Sequence, residues 1–209
     1  MRLKLSFTIG IIINLFLIST GSAALRNTAP GAYENWGQMI NRLDILRSFK
    51  TKDFSRLVIA NIDTTKVRYQ LDGFAEDRKT NLLEQGKGTL IATIKSKPGH
   101  LEMADSKEGA SPDQVLILKI SILEIGVKPG SMWWYPLAWV AIEGELVTPQ
   151  NNEVLLKFKT TRTSSVKGVA GGSVIKDLEE ESKKLVVAAI DNDFKELGED
   201  LNELIFSFK

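Results

Sequence analysis

Three segments in the second half of the chain alternate apolar and polar residues with a period of two. Residues 115–125 set Leu116, Leu118, Ile120 and Ile122 against Lys119 and Ser121. Residues 138–148 set Val140, Ile142 and Leu146 against Glu143 and Glu145, and residues 154–163 set Val154, Leu156 and Phe158 against Lys157, Lys159 and Thr161. Such alternation predicts an antiparallel sheet with one packed face and one wet face. If Thr148 opposes Val154 across the intervening turn, Glu145 faces Lys157, Glu143 faces Lys159, and Leu146 meets Leu156 on the buried side. A slip of one residue would set glutamate against Phe158 and turn the apolar set outward. The four charged side chains are therefore expected to hold sheet register.

Elsewhere the apolar spacing is helical. Ile175, Leu178, Leu185, Val186, Ala189, Phe194, Leu197, Leu201, Leu204 and Ile205 predict one long helix, or two joined near Gly198. Ser173, after the glycine-rich stretch 167–172, is the expected N-cap. Asp177, Glu179, Glu180 and Glu181 would then favour the positive end of the helix dipole, with Lys183 and Lys184 four residues beyond Glu179 and Glu180. Residues 77–95 carry Leu82, Leu83, Leu90, Ile91 and Ile94 at helical steps, although Gly86 and Gly88 each cost about 1 kcal/mol relative to alanine. The run 56–62 is apolar enough for a strand covered on both faces. Met39, Leu43, Leu46 and Phe49 predict a short helix or turn over 38–49. The sum is an α+β fold: a two-layer sandwich, a mostly antiparallel sheet with helices on one face.

The N-terminus changes the picture. Arg2 and Lys4 precede an apolar stretch over 5–18, and Ser19-Thr20-Gly21-Ser22-Ala23-Ala24 follows. Charged start, apolar middle and small-residue end make residues 1–24 a secretory signal peptide, with cleavage after Ala23 or Ala24. Residues 25–209 then form a single exported domain, in the periplasm or otherwise extracellular. The 209 residues contain no cysteine, so no disulfide and no lipidated cysteine anchor is expected. The net charge of +1 provides no footprint for nucleic acid.

From Asp113 to Leu201 the order of elements resembles an uncharacterised family of bacterial envelope domains, exported or lipoprotein-type, of unknown function. The likeness is carried by the strand to Ile125, the turn Lys128-Pro129-Gly130-Ser131, a long strand, Leu146-Val147-Thr148-Pro149-Gln150-Asn151-Asn152-Glu153, a Gly/Ser stretch and a terminal helix. The chain departs from many members in lacking a lipidated cysteine and in placing Met132-Trp133-Trp134-Tyr135-Pro136 where small residues are common. The resemblance implies an auxiliary role in an envelope assembly.

Catalytic groups are sparse. His100 is the sole histidine and sits beside Pro98-Gly99, and no serine lies in a G-x-S-x-G elbow. One histidine and no cysteine predict no metal site, and no cofactor motif is present. Gly168, Gly171, Gly172 and Ser173 lack the Gly-Lys-Ser/Thr of a phosphate loop. An exported hydrolase acting on wall or glycan material would have to use Glu143, Glu145 or Asp105, and a small-ligand carrier would need an unfilled interior. Neither explains the aromatic segment 132–139. Trp133, Trp134 and Tyr135 follow a turn signal, and Trp139 has the outward parity of the next strand. Adjacent extended residues point to opposite sides, so at least one ring is expected to stay exposed. The four aromatics are the candidate binding site, for an envelope protein or a membrane surface.

Overall fold

The computed structural model describes residues 42–96, 99–104, 111–130 and 134–208. The signal segment 1–24 and Trp133 lie outside the described residues, as do 38–41 of the segment read as a short helix. Seven strands are present among the described residues: β1 (Arg42–Ile45), β2 (Arg56–Ile59), β3 (Arg68–Gln70), β4 (Glu102–Ala104), β5 (Val115–Lys128), β6 (Leu137–Thr148) and β7 (Glu153–Ser165). Two α-helices lie among the same described residues, α1 (Glu76–Ser96) and α2 (Glu180–Ser207).

The sheet order is β1-β7-β6-β5-β2-β4, with β3 also pairing β5. The pairs β1–β7, β7–β6 and β6–β5 are antiparallel, whereas β2 and β3 lie parallel to β5 and β4 parallel to β2. The expected sandwich is present, but the sheet is mixed. The long ladders come from the alternating segments. The parallel strands β2, β3 and β4 are short, and each joins the sheet through a crossover connection.

The predicted register holds through its centre. Glu143 pairs with Lys159, Glu145 with Lys157 and Leu146 with Leu156. Beyond Leu146 the register shifts, so Val147 meets Val154 and Thr148 faces Glu153 rather than Val154. Leu155 is the extra residue; its carbonyl accepts from the backbone N–H groups of Leu46 and Arg47 just past β1. A second irregularity lies between Ile122 and Glu124. It transfers the inward parity from Leu116, Leu118, Ile120 and Ile122 to Ile125 and Val127, and turns Glu124 outward.

Both helices pack on the inward face, where Leu82, Leu90, Ile94, Val186, Ile190, Phe194, Leu197 and Leu201 join the sheet residues in one core. Gly86 is a requirement of that packing: a Cβ there would lie 2.1 Å from the Phe194 ring. The outward face has a smaller cluster of Val58, Val115, Ile117 and Val147. The expectation for 56–62 therefore holds at β2, which buries Leu57 on one side and Val58 on the other.

Two local expectations are corrected. Residues 42–45 form edge strand β1 rather than a helix, because Leu43 pairs opposite Phe158 and the ladder satisfies the backbone. Ser173 does not cap a helix. Its N–H and hydroxyl both bond the Ala170 carbonyl, Ile175–Asp177 forms a 3-10 turn, and α2 starts after Glu179. Lys183 and Lys184 consequently bridge to Glu180 and Glu181, three residues back rather than four.

Candidate functional site: the turn between β5 and β6

The two longest antiparallel strands end at Lys128 and Leu137, which are register partners, and Leu137 in turn pairs with Ser165. The connection between them must double back within a few residues. Gly130 makes this possible: a Cβ there would come within 1.9 Å of the Trp134 carbonyl oxygen. On the far side, the Pro136 carbonyl accepts from the Val166 N–H at 2.8 Å. The connection is thus anchored at both ends, and within it Trp134 is 74 % exposed and Tyr135 52 %.

Trp139 does not join them. Its parity is outward, as the alternation requires, yet it is 3 % exposed. The expectation of an exposed third aromatic is corrected, and the reason is local. Gly126 lies opposite Trp139 in the ladder, and a Cβ there would meet the indole at 2.3 Å, so the glycine leaves the ring a seat on the strand. The indole Nε1–H then donates to the buried Glu124 carboxylate at 3.1 Å. Arg68 Nη2 and Gln70 Nε2 of β3 donate to the same carboxylate at 2.9 and 2.6 Å. Three donors, one of them the salt-bridged Arg68, make a buried glutamate tolerable. The sequence signal for this cluster was faint: one glutamate in an apolar strand, followed two residues later by a glycine.

The carboxylates of the hydrolase alternative lie in the middle of the outward face. Glu143, Glu145 and Asp63 line an open cavity of about 490 Å³ with Asn61, Lys119 and Ser121. Glu145 accepts from Lys119 Nζ at 3.1 Å, and β6 sets it between Lys119 and Lys157 on the neighbouring strands. Asp63 accepts from the Thr65 N–H and hydroxyl at 2.9 and 2.7 Å, which hold its carboxyl below the usual carboxylate range. A glycosidase acid needs the opposite shift. Asp105, the third candidate, lies outside the described residues. His100 Nε2 lies 2.8 Å from the Thr51 carbonyl oxygen, with its ring edge-on to Phe206, a contact that ties a loop to the end of α2.

The inward face holds a polar cluster that the sequence did not signal. Asp193 of α2 is fully buried; one carboxyl oxygen accepts from the Ser164 hydroxyl, and Oδ2 has no hydrogen-bond partner. Burial pushes its carboxyl up to about 7. Beside it, Arg162 makes a two-pronged ion pair with Asp200 and approaches Glu196 at 3.7 Å. Burial raises the Asp200 carboxyl despite that partner. The cluster lies between α2 and β7.

No protein-family model and no curated protein matches the chain. Solved structures similar to it include the PelC dodecamer from Paraburkholderia phytofirmans, with 12 % identity and a TM-score of 0.38 over 78 % of this chain and 96 % of that one. A protein from Xanthomonas campestris of family DUF330 is 14 % identical, with a TM-score of 0.39 over 73 % of this chain and 85 % of its own. A minor lipoprotein from Acinetobacter baumannii is 12 % identical, with a TM-score of 0.37 over 71 % and 93 %.

Proposed function

We propose that this chain is an exported, non-catalytic module of the bacterial envelope that binds a protein partner or a membrane surface through the turn between β5 and β6. The observation that carries this reading is the contrast within one short segment. Trp139 is buried and hydrogen-bonded, whereas Trp134 and Tyr135 are held in solvent on a turn anchored at both ends. Each such ring offers about 150–250 Å² of contact area. Burying two of them in a partner contributes several kcal/mol, enough to dominate a modest interface. The carboxylates support the same reading from the other side, since Glu143 and Glu145 take their places in the cross-strand ladder.

The test replaces Trp133, Trp134 and Tyr135 by serine. The expected outcome is unchanged thermal unfolding together with loss of association in cell fractionation and pull-down from intact cells. A well-folded triple variant with an unchanged profile would overturn the reading. Export is checked separately by N-terminal sequencing of the recovered protein, which is expected to start at Ala24 or Leu25. An uncleaved chain retained in the cytoplasm would remove the envelope from the proposal.

A further inference from the structure

One stripe of α2 sets three carboxylates over a single arginine. Asp193, Glu196 and Asp200 recur at steps of three and four, so all face the same side of the helix. Beneath them β7 presents Arg162 and Ser164, alternate residues on its inward face. Arg162 forks onto Asp200 through Nε and Nη2, and its Nη1 lies 3.7 Å from Glu196. All three acids act on that guanidinium, Asp200 most strongly through its hydrogen bonds, and together they raise its affinity for its proton. Asp193 and Asp200 are buried, whereas Glu196 is half-exposed.

Asp193 is the buried member left without a cation. Its donor is Ser164, and its Oδ2 bonds nothing. The surfaces around it supply no second charge. On β6, Val140 lies beside Arg162 and Ala138 beside Ser164. The charged residues of β1, Arg42 and Asp44, pair with each other and alternate with the inward Leu43. The polar contacts of α1 with α2 are made elsewhere, from Arg78 to Glu180, Thr89 to Asp191 and Asn202 to Thr93. Lys195 is exposed and stands about 200° round the helix from Asp193. Lys167, three residues past Ser164, is exposed as well. Burial pushes the Asp193 carboxyl up to about 7; Glu196 acts in the same sense, and Ser164 and Arg162 oppose it.

From this arrangement we propose that Arg162 is a proton-dependent toggle between two buried carboxylates of α2, Asp200 and Asp193. While Asp193 holds its proton, Arg162 stays on Asp200 and the helix is seated on β7. When Asp193 gives the proton up, the guanidinium turns to the new buried anion and Asp200 loses its partner. The move is short on the strand side, since Arg162 and Ser164 are about 6.6–6.8 Å apart along β7. Asp193 and Asp200 are about 10 Å apart along α2, too far for one guanidinium to fork onto both. One of the two buried anions is then always short of a cation, which makes the seat of α2 weaker. The direction follows from linkage. The folded chain keeps a proton that the unfolded chain releases, so α2 is firmly seated in acid and loosens as pH rises through about 7. The device is two arrangements of one side chain, and it acts whether or not the aromatic turn has a partner.

A pH titration of the isotope-labelled full chain by NMR tests this. The Asp193 carboxyl carbon and the Arg162 Nε signal are expected to move together, with one midpoint near 7. Asp193→Asn is expected to hold the Arg162 signal at its acidic position throughout. Asp200→Asn is expected to release the arginine to Asp193 and make that carboxyl about tenfold more acidic. Amide exchange from Ile190 to Leu201, corrected for the intrinsic rate, is expected to quicken about tenfold between about pH 5.5 and about pH 8.5 relative to β5 and β6. That rise is expected to vanish in Asp193→Asn. An Asp193 carbon that titrates below about pH 5, or an Arg162 signal that does not follow it, overturns the proposal. So does an Asp193 midpoint that ignores Asp200→Asn, or exchange in α2 that is equal at both pH values. The unaltered protein decides the first two points and the exchange measurement by itself, so a variant that fails to fold leaves the test standing.

Discussion

Glu124 and Asp193 are carboxylates buried on opposite faces of the same sheet, and their surroundings differ. Glu124 has three donors, from Arg68, Gln70 and Trp139, and two of those arrive on a short parallel strand from more than fifty residues away. Asp193 has one hydroxyl donor, an orphaned second oxygen, and an arginine beside it already committed to Asp200. The difference follows from what covers each face. A strand lying alongside another can bring hydrogen-bonding side chains to the same row, while helices laid over a core bring mainly apolar ones. Burial on the helix side pushes the Asp193 carboxyl toward its neutral form, whereas three donors surround Glu124.

Several substitutions would break or sharpen this contrast, and the largest effect is expected at Asp193. Its carboxyl is raised from 3.8 to about 7, so the folded state binds a proton that the unfolded chain releases across that interval. Stability from this group is full below about pH 4 and is lost as pH rises through 7. Asp193→Asn keeps an acceptor for Ser164 and removes the titration. The variant is expected to gain on the wild type by a few kcal/mol between pH 4 and pH 8, read from urea midpoints at each pH. Parallel midpoints for the two proteins would show that Asp193 titrates normally.

Glu124→Ala is expected to act in the opposite direction, costing about 2–4 kcal/mol because it empties a buried site and strands the buried indole N–H. Glu124→Gln should recover part of that, since its amide oxygen still accepts. A smaller loss, about 1–3 kcal/mol, is expected for Gly126→Ala, which places a methyl group where the Trp139 ring now lies. A red shift of tryptophan emission would report the displaced indole. The smallest effect belongs to the outward ladder. Glu145→Gln removes a half-exposed pair with Lys119 and should cost less than about 1 kcal/mol in denaturant unfolding. A loss several times larger would mean that the cavity above it holds a structural ligand.

The same contrast explains what was legible in the sequence. The alternation at Leu116, Leu118, Ile120 and Ile122, and its match on β6 and β7, is a local pattern that survives folding because one face must be covered. The pairing of Glu143 with Lys159 and Glu145 with Lys157 followed from that constraint alone. The third partner of the row, Lys119, was equally available but belonged to a strand whose register no turn defined. That at least one ring of the aromatic segment stays exposed was legible, because adjacent extended residues point to opposite sides; that Trp134 and Tyr135 are exposed while Trp139 is buried was not. Edge strand β1 was not legible: a short run such as Arg42–Ile45 becomes a strand only when β7 offers it a ladder.

By itself, then, the sequence determined the α+β class, the long hairpins, the helical stretches and the central register. These depend on periodicity, and every residue that carries it lies within a few positions of the next. Tertiary structure alone decided that Trp139 turns outward and is still buried, that Glu124 becomes its acceptor, and that burial raises the Asp193 carboxyl to about 7. Each of those outcomes depends on atoms brought together from distant segments, through two bulges and a short parallel strand. Hydrophobic period records which side of an element a residue takes; what lies on that side is set by the partners that the folded chain delivers there.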